Sequence, residues 1–306
     1  IILSSSVFTE DGGFLFTRAT SQSPCLHETL ALLSASGACL ATTETECRGR
    51  DNHEKLAERV SHSFTESEII AMQILVTGKQ MKQLDQSTIK QMGIPSLVLM
   101  ERAALAVFDC LKQHFPLKKT LVVCGSGNNG ADGVAVARLL HLAGYPVDLY
   151  LAGNHTSVTE EMNIQWQAAK NYQVSIVNNC RFSEYTTIVD ALFGVGLSRE
   201  LSGKYQALAE KINASGIPVL AVDIPSGIHA GTGQVMGTAI RATETVTFAY
   251  RKLGISLYPG SVYAGHIQVK DVGIYGASEG VFSLDNKDVS WLPVRDPAGN
   301  KGTFGK

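Results

Sequence analysis

Short apolar runs alternate with helix-like stretches from about residue 80 onward, and this alternation constrains the fold more than any other feature of the sequence. The runs at 120–124, 187–190 and 219–223 are almost entirely apolar, as is typical of strands buried on both faces. Stretches with helical spacing, such as 132–143 and 206–214, lie between them. Strands that alternate with helices predict an α/β fold in which a mostly parallel sheet is covered on both faces. Further strands are predicted at 147–151, 174–177, 245–249 and 266–269, and further helices at 81–92, 97–115 and 160–172.

A polar, glycine-rich loop follows the first of these strands, with the sequence GSGNNGADG at 125–133. Glycine permits positive φ and a close approach of the backbone to a ligand, and the next helix offers free N–H groups to a phosphate. The GxGxxG spacing is a weak indication alone, because many strand-to-helix turns are rich in glycine. Asn128, Asn129 and Asp132 are more informative, since a turn does not need these amide and carboxylate groups in order to fold.

Two further strands end in a similar way. Asp190 closes one apolar run and is followed by glycines and by Arg199, which can bind a phosphate. Asp223 closes the next run and precedes an Ile-Pro-Ser-Gly turn at 224–227. Each loop taken singly is also explained as an ordinary turn. Ligands of open α/β sheets bind at the carboxyl ends of strands, so the three loops together predict a ligand site.

The oxygen atoms of these loops indicate which ions they suit. Asn129, Asp190 and Ser226 offer amide, carboxylate and hydroxyl oxygens without an accompanying His or Cys, which disfavours zinc, copper and iron. Such a set, with a single negative charge, suits an alkali cation or else Mg²⁺. Asp132 and Asp223 remain as candidates for proton transfer or for recognition of a hydroxyl group.

A nucleotide-dependent dehydrogenase is the alternative that a GxGxxG loop brings to mind. The acid that binds the ribose is expected about 20 residues after the glycines, near Asp148. Asp148 lies inside a strand-like run and not at its end, which disfavours a dehydrogenase. Lys252, which follows the strand predicted at 245–249, is interpreted as an exposed loop cation, with phosphate binding as the alternative.

Composition excludes several classes of partner. The net charge is −2, from 26 basic and 28 acidic residues, whereas proteins that bind nucleic acids or anionic membranes carry basic surfaces. No apolar run reaches the ~18 residues of a membrane span, and no signal-peptide pattern is present. The 6 Cys residues lack CxxC spacing, so neither a zinc site nor a disulfide framework is indicated. These features predict a cytoplasmic protein that binds neither nucleic acid nor membrane.

The combined motifs resemble those of the NAD(P)H-hydrate epimerase family, the YjeF N-terminal domain, over about residues 78–280. This resemblance implies a Rossmann-like three-layer αβα sandwich and an isomerase that interconverts the R and S forms of hydrated NADH and NADPH. A non-catalytic nucleotide-binding or protein-binding module of the same fold is the competing interpretation. The matching stretches are GSGNNGADGVAVARLL at 125–140, VDALFGVGLSRELSG at 189–203, VLAVDIPSGIHAGTG at 219–233 and ATETVTFAYRKLG at 242–254.

The resemblance also implies a potassium ion and a set of substrate contacts. By motif position, Asn129, Asp190 and Ser226 are the potassium ligands. Asp223, which ends a strand within the expected site, is the predicted proton-transfer group and also a substrate contact. The other residues expected to contact the hydrated nucleotide lie in two segments, Asn128, Asn129, Gly130, Ala131 and Asp132 in the first and Gly194, Val195, Gly196, Leu197, Ser198, Arg199 and Glu200 in the second.

The two flanks complete the predicted organisation. Residues 1–77 lack clear periodicity, and the segment at 59–66 faintly resembles the end of holo-acyl-carrier-protein synthase, an activity that is not assigned here. Residues 281–306 are interpreted as a linker and the start of an ADP- or ATP-dependent hydrate dehydratase domain, with a flexible tail as the alternative. The chain is therefore expected to be a truncated bifunctional NAD(P)H-hydrate repair enzyme. Its expected partners are a dehydratase domain, fused or separate, and a second copy in a homodimer.

Overall fold

The computed structural model describes residues 6–8, 14–16, 31–33, 73–153, 158–276 and 281–283. The chain forms a compact unit of residues 75–278 and a second unit of residues 1–74 and 279–306. In the second unit, strands β1 (Ser6–Phe8), β2 (Phe14–Phe16) and β3 (Ala31–Leu33) form an antiparallel sheet in that order. The segments at 59–66 and 292–306, on which the interpretation of the flanks depends, lie outside the described residues.

The compact unit is built around a sheet of seven strands, all of them parallel to their neighbours, which confirms the predicted α/β class. The order of strands in this sheet is β12-β10-β9-β8-β5-β6-β7, and the short strand β11 pairs with β4 beside it. The strands are β4 (Gln73–Val76), β5 (Thr120–Cys124), β6 (Val147–Leu151), β7 (Ser175–Ile176), β8 (Thr187–Ala191), β9 (Val219–Val222), β10 (Glu244–Phe248), β11 (Arg251–Lys252) and β12 (His266–Lys270), followed in the second unit by β13 (Val281–Ser283).

Helices cover both faces of this sheet and complete the three layers. On one face, α3 packs against α2, α4 and the strands β5, β6 and β8. Within the described ranges, no helix combines the length and hydrophobicity that crossing a bilayer requires. The helices are α1 (Gly78–Lys90), α2 (Ser96–His114), α3 (Asn128–Leu142), α4 (Glu160–Asn171), α5 (Lys204–Ala214) and α6 (Gly260–Tyr263), with 3₁₀ turns at Phe182–Glu184 and Leu253–Ile255.

The central strand β5 is apolar at every position after Thr120, because helices cover both of its faces. Leu121 and Val123 point to one face and belong to a core cluster with Ala209 and Ile212 of α5. On the other face, α3 approaches so closely that a Cβ on Gly133 would lie 2.7 Å from Cys124 Sγ. A strand buried by helices on both sides has no face for polar residues, so the alternating pattern of a half-buried strand is absent.

The start of α3 corrects the sequence-based prediction. The helix begins at Asn128 and not at 132, and Gly127 is its N-cap with extended backbone. Gly and Asn have low helix propensity, which favoured the later start, but packing on the sheet overrides propensity. A Cβ on Gly130 would lie 2.1 Å from Gly125 O, and neither residue has positive φ. Glycine is required at these two positions by contact with the protein's own backbone.

Candidate functional site

The sheet reverses its direction of growth between β5 and β8. From β5 the chain continues to β6 and β7 on one side, and it then returns to β8, β9 and β10 on the other. The loops that follow two strands at such a switch point diverge and leave a crevice at the carboxyl edge of the sheet. Because β9, β8 and β5 are neighbours, the three predicted loops lie side by side at this crevice.

Asp190 and Ser226 form the most buried part of the crevice. Ser226 donates from its N–H to Asp190 Oδ2 at 2.8 Å and from its hydroxyl to Oδ1 at 2.6 Å. The Asp190 side chain is fully buried, and it has no cationic partner among the described residues. Burial raises the pKa of Asp190 to about 6, although the hydrogen bonds from Ser226 and the Leu192 N–H oppose this shift. A buried carboxylate in this state is stabilised by a cation.

Asn129 is joined to this pair through the loop after β8. A Cβ on Gly194 would lie 3.0 Å from Asn129 Oδ1, and the Phe193 N–H donates to Ser226 Oγ at 2.9 Å. Asn129 Nδ2 is buried and has no hydrogen-bond partner in the described part of the chain. Native proteins pair nearly all their buried polar atoms, so this amide calls for a further ligand. Rotation of the amide exchanges Nδ2 and Oδ1, so the same position presents either a donor or an acceptor.

Asp223 occupies a constrained position just after β9. Its φ is 68°, a left-handed conformation that is uncommon for residues other than glycine and is concentrated at functional sites. Its N–H donates to Val246 O at 2.8 Å. Its Oδ1 accepts hydrogen bonds from Lys252 Nζ at 2.5 Å and from Thr247 Oγ1 at 3.0 Å. The described residues donate no hydrogen bond to Oδ2, which leaves this oxygen for chemistry.

Lys252 is the site residue that sequence reasoning placed wrongly. It was expected to be an exposed loop cation, but its exposed fraction is 1%. Its Nζ donates to Asp223, to Thr247 Oγ1 at 2.9 Å and to Phe248 O at 2.9 Å, so all three protons are used and none remains for a phosphate. Lys252 is buried because it lies in β11, where it pairs with Val76 of β4. No local pattern reveals that pairing.

A second carboxylate of the crevice, Asp132, lies on α3. Burial raises the pKa of Asp132 well above its ordinary value, and the carboxylates of Asp223 and Asp85 raise it further against the effect of Lys252. Burial also raises the pKa of Asp85 on α1, with contributions from Glu161 and Asp223. Sequence reasoning did not assign Asp85 to the site, because α1 precedes the three loops and its matching stretch, MKQLDQ at 81–86, indicates only a helix. Burial therefore raises the pKa of three carboxyl groups near the crevice, those of Asp85, Asp132 and Asp190.

The predicted contacts on the first loop fall into two groups. Asn128 is exposed at the first position of α3, where its N–H has no intrahelical partner. Gly130 and Ala131 are buried, and the Ala131 N–H donates to Gly127 O at 3.0 Å. Both residues pack against the protein, so the functional groups of this segment are the side chains of Asn128, Asn129 and Asp132.

The predicted contacts on the second loop are all exposed or half-buried. Gly196, Ser198, Arg199 and Glu200 are exposed, whereas Gly194, Val195 and Leu197 are half-buried. A cavity of about 320 Å³ lies beside them, and its walls include the aromatic rings of Phe193 and Tyr205 together with Arg199 and Lys204. A space with aromatic and cationic walls suits a ligand that carries both a ring and an anionic group.

Asp148 has a structural role. It is the second residue of β6, near the amino end of the strand, and accepts hydrogen bonds from Ser175 Oγ at 2.6 Å and Tyr185 OH at 2.8 Å. Lys119 Nζ lies 3.0 Å from its Oδ2. Burial alone raises the pKa of Asp148, but the hydrogen bonds from Ser175, Lys119 and Tyr185 outweigh burial and hold it below the ordinary value. A residue at this end of the sheet cannot act as the ribose-binding acid of a dehydrogenase.

Comparison with known proteins places these motifs in a family. The family described as YjeF-related protein N-terminus matches residues 96–254. An NAD(P)H-hydrate epimerase of Oenococcus oeni is 49% identical over 205 residues, which cover 66% of this chain and 98% of that protein. One of Weissella koreensis is 50% identical over 206 residues, covering 67% and 93%.

A solved structure shows the same fold. The crystal structure of yeast ynu0, YNL200c, has a TM-score of 0.56 and 22% identity, and the match covers 69% of this chain and 99% of that chain. The sequence relatives match almost their whole length at close to half identity, and the family's motifs coincide with the crevice. The chain belongs to the YjeF-related N-terminal domain family, as its three loop motifs indicated.

Proposed function

We propose that this chain is an NAD(P)H-hydrate epimerase, an isomerase that interconverts the R and S forms of hydrated NADH and NADPH. The relatives that carry this name match the compact unit over nearly their whole length. The observation that carries the proposal is the meeting of Asp132 and Asp223 at the switch-point crevice, with Lys252 buried against Asp223.

The proposed reaction takes place at C6 of the hydrated nicotinamide ring. A carboxylic acid gives a proton to the C6 hydroxyl group, the C–O bond breaks, and water leaves. The ring nitrogen stabilises the planar iminium that remains. Water then adds to either face, and its proton passes to a carboxylate. Atoms and electrons balance without an oxidant or a reductant, so the reaction needs proton transfer and nothing else from the protein's side chains.

Asp223 is the proposed proton-transfer group. Lys252 and Thr247 hold its Oδ1 in place, so Oδ2 is the oxygen that exchanges a proton with the substrate. Asp132, whose pKa is raised well above its ordinary value by burial, is the second carboxyl group and supplies a proton to the departing hydroxyl. Two carboxyl groups that share a site divide acid and base roles in many enzymes.

The cavity beside the second loop is the proposed binding place of the nucleotide. The aromatic rings of Phe193 and Tyr205 suit an aromatic base, and the guanidinium of Arg199 suits a phosphate. The free N–H groups in the first turn of α3, at Asn128 and Asn129, add donors for the diphosphate.

Potassium is the proposed ion at Asn129, Asp190 and Ser226. The residues fit such an ion, because the buried Asp190 carboxylate lacks a cationic partner among the described residues. Rotation of the Asn129 amide would present its oxygen at the buried position that now lacks a hydrogen bond. The set contains a single charge and no sulfur or imidazole, which suits a hard cation of low charge. When bound, the ion supplies positive charge that neutralises Asp190 and favours an anionic ligand in the crevice.

The decisive experiment supplies R-hydrated NADH together with a dehydratase that acts only on the S form. We expect consumption of the hydrate to accelerate in proportion to the amount of this chain, above the spontaneous rate measured without it. Asp223→Asn is expected to lower the epimerisation rate at least 100-fold with ligand binding retained. Lys211→Ala, at an exposed position of α5 outside the three loops, is a control for handling and folding. A chain that binds the hydrate without accelerating its consumption would instead be a non-catalytic binding module.

A further inference from the structure

A cluster of sulfur, nitrogen and oxygen atoms lies at the opposite edge of the sheet from the crevice. Cys110 and His114 are four residues apart in the last turns of α2, so their side chains share one face of the helix. Glu244 is the first residue of β10, and this strand packs against α2. Strands of a parallel sheet begin at the edge opposite the one where they end, so this edge cluster of Cys110, His114 and Glu244 is separate from the crevice.

The three side chains bring their ligand atoms together. Cys110 Sγ lies 3.9 Å from His114 Nδ1, and the same Nδ1 lies 2.9 Å and 3.2 Å from the two oxygens of Glu244. One ligand atom from each residue lies within 4.8 Å of the other two. A tetrahedral zinc ion with ligand distances of about 2.0–2.3 Å separates its ligand atoms by about 3.4–3.6 Å. The ligand atoms must therefore approach one another by at most about 1.4 Å for the edge cluster to become a coordination site.

One contact of this group is not a hydrogen bond when His114 donates to Glu244. His114 Nδ1 also lies 3.1 Å from Gln268 Nε2, which can only donate. Nδ1 carries either a proton or a lone pair, so it cannot donate to Glu244 and accept from Gln268 at the same time. Gln268 Nε2 contacts Cys110 Sγ at 3.7 Å and Glu244 Oε1 as well. Several polar atoms thus surround one point that a single hydrogen cannot satisfy.

Burial and access both suit an ion at this point. Cys110 is 1% exposed, and the Glu244 side chain is 7% exposed, so the sulfur and the carboxylate are held by the fold. The His114 side chain is 41% exposed and opens a path to solvent. His266 Nδ1 lies 3.0 Å from Glu244 Oε1 and orients that carboxylate, as partners of metal ligands commonly do.

We propose that Cys110, His114 and Glu244 bind a divalent ion of the zinc class, with a fourth position open to solvent. Thiolate, imidazole and carboxylate together are characteristic ligands of zinc and cobalt, and they are unlike the oxygen atoms at the crevice. The ion would link the end of α2 to the edge of the sheet. This site could not be predicted from residue spacing in the sequence, because its ligands come from two elements that are 130 residues apart.

The test uses the whole chain, stripped of metals with a chelator and titrated with Co²⁺ and then with Zn²⁺. We expect one equivalent of Co²⁺ to produce a thiolate-to-cobalt charge-transfer band, which Zn²⁺ then removes. Cys110→Ser is expected to abolish the band, and His114→Ala to weaken zinc binding at least tenfold. Because the His114 side chain is 41% exposed, its variant is expected to keep the fold even if the buried Cys110 variant does not.

Two matched variants control for the other thiols and imidazoles. Cys180→Ser and His141→Ala lie outside the edge cluster and are expected to keep both the band and the zinc affinity. The absence of a band in the unmodified chain, or a band that persists in Cys110→Ser, would overturn the proposal. Epimerase activity takes no part in these readouts, so the two proposals stand or fall separately.

Discussion

Lys252 and Asp223 form a buried ion pair in which Nζ lies 2.5 Å from Oδ1, with the lysine side chain 1% and the aspartate side chain 11% exposed. Lys252 comes from β11 and Asp223 from the end of β9, so the pair ties together two loops at the crevice. A buried pair of this kind is a weak source of net stability, but its rupture leaves an uncompensated charge.

Removal of the Lys252 amino group is therefore expected to lower the free energy of unfolding. Lys252→Met should destabilise the fold by about 3–5 kcal/mol, because the Asp223 carboxylate stays buried without a partner. Urea unfolding followed by circular dichroism measures this change. Lys204→Met, at an exposed position, is the control and should change the free energy of unfolding by less than about 0.5 kcal/mol. A further substitution, Asp223→Asn, in the Lys252→Met background should restore part of the loss; no restoration would argue against the pair.

Potassium is expected to stabilise the fold through Asn129, Asp190 and Ser226. At a potassium concentration 100 times the dissociation constant the gain is about 2.7 kcal/mol. Such a gain raises Tm by about 2–4 °C per kcal/mol. Melting curves in potassium chloride and in choline chloride of equal ionic strength measure the difference. Asn129→Ala should remove the difference, whereas Asn128→Ala, at the exposed neighbouring position, should retain it. Identical curves in the two salts would contradict the proposed ion.

The two glycines that begin the first motif are expected to respond differently to substitution. A Cβ on Gly125 would lie 2.0 Å from Leu192 O, so Gly125→Ala must displace the loop after β8 and should cost about 3 kcal/mol. Nothing lies within 4 Å of a Cβ on Gly127, whose φ is −98°. Gly127→Ala should therefore be tolerated. Chemical denaturation of both variants checks this expectation, and equal losses of stability would show that the motif acts in some other way.

Asp148 is expected to make stability depend on pH in the acid range. Its pKa is below the ordinary value in the folded chain, so its contribution is present above pH of about 4 and is lost as the pH falls through the folded value. Asp148→Asn should lower the free energy of unfolding at pH 7 by about 1–3 kcal/mol. This deficit should shrink below pH of about 4, as unfolding curves at several pH values will show. Asp109→Asn, at an exposed residue, is the matched control and should show no such trend.

Arg199 is expected to contribute to nucleotide binding and not to the chemical step. Arg199→Ala should raise KM about tenfold with kcat nearly unchanged, which corresponds to the loss of one charge-assisted hydrogen bond. Steady-state kinetics in the coupled assay separate the two constants. Arg181→Ala, whose side chain is 80% exposed and lies outside the three motifs, serves as the control. A fall in kcat alone would assign Arg199 a different role.

The parallel sheet and the three loops were predictable because they depend on local pattern. Apolar runs such as 121–124 are recognisable in sequence, since a strand covered on both faces consists largely of apolar residues. Parallel strands all end at one edge, so Asp190 and Asp223 could be assigned to a common site before their contacts were known.

Other features could not be predicted from local pattern. The early start of α3 depends on how closely Gly130 approaches Gly125, a contact that propensity cannot reveal. The burial of Lys252 depends on the pairing of β11 with β4, two strands that lie about 175 residues apart. Asp85 could not be assigned to the crevice from the sequence, because the position of α1 near Asp223 is a property of the tertiary structure.

The sequence by itself determined the fold class, the family and the order of the three loops, because periodicity and motif spacing are properties of the chain. The tertiary structure decided which groups share an electrostatic environment. It buried Lys252 against Asp223 and raised the pKa of Asp132. Among the described residues it left Asn129 Nδ2 without a hydrogen bond, next to the loop after β8 that is hydrogen-bonded to Ser226. Burial and charge proximity belong to the folded arrangement, since they arise between residues that the sequence keeps far apart.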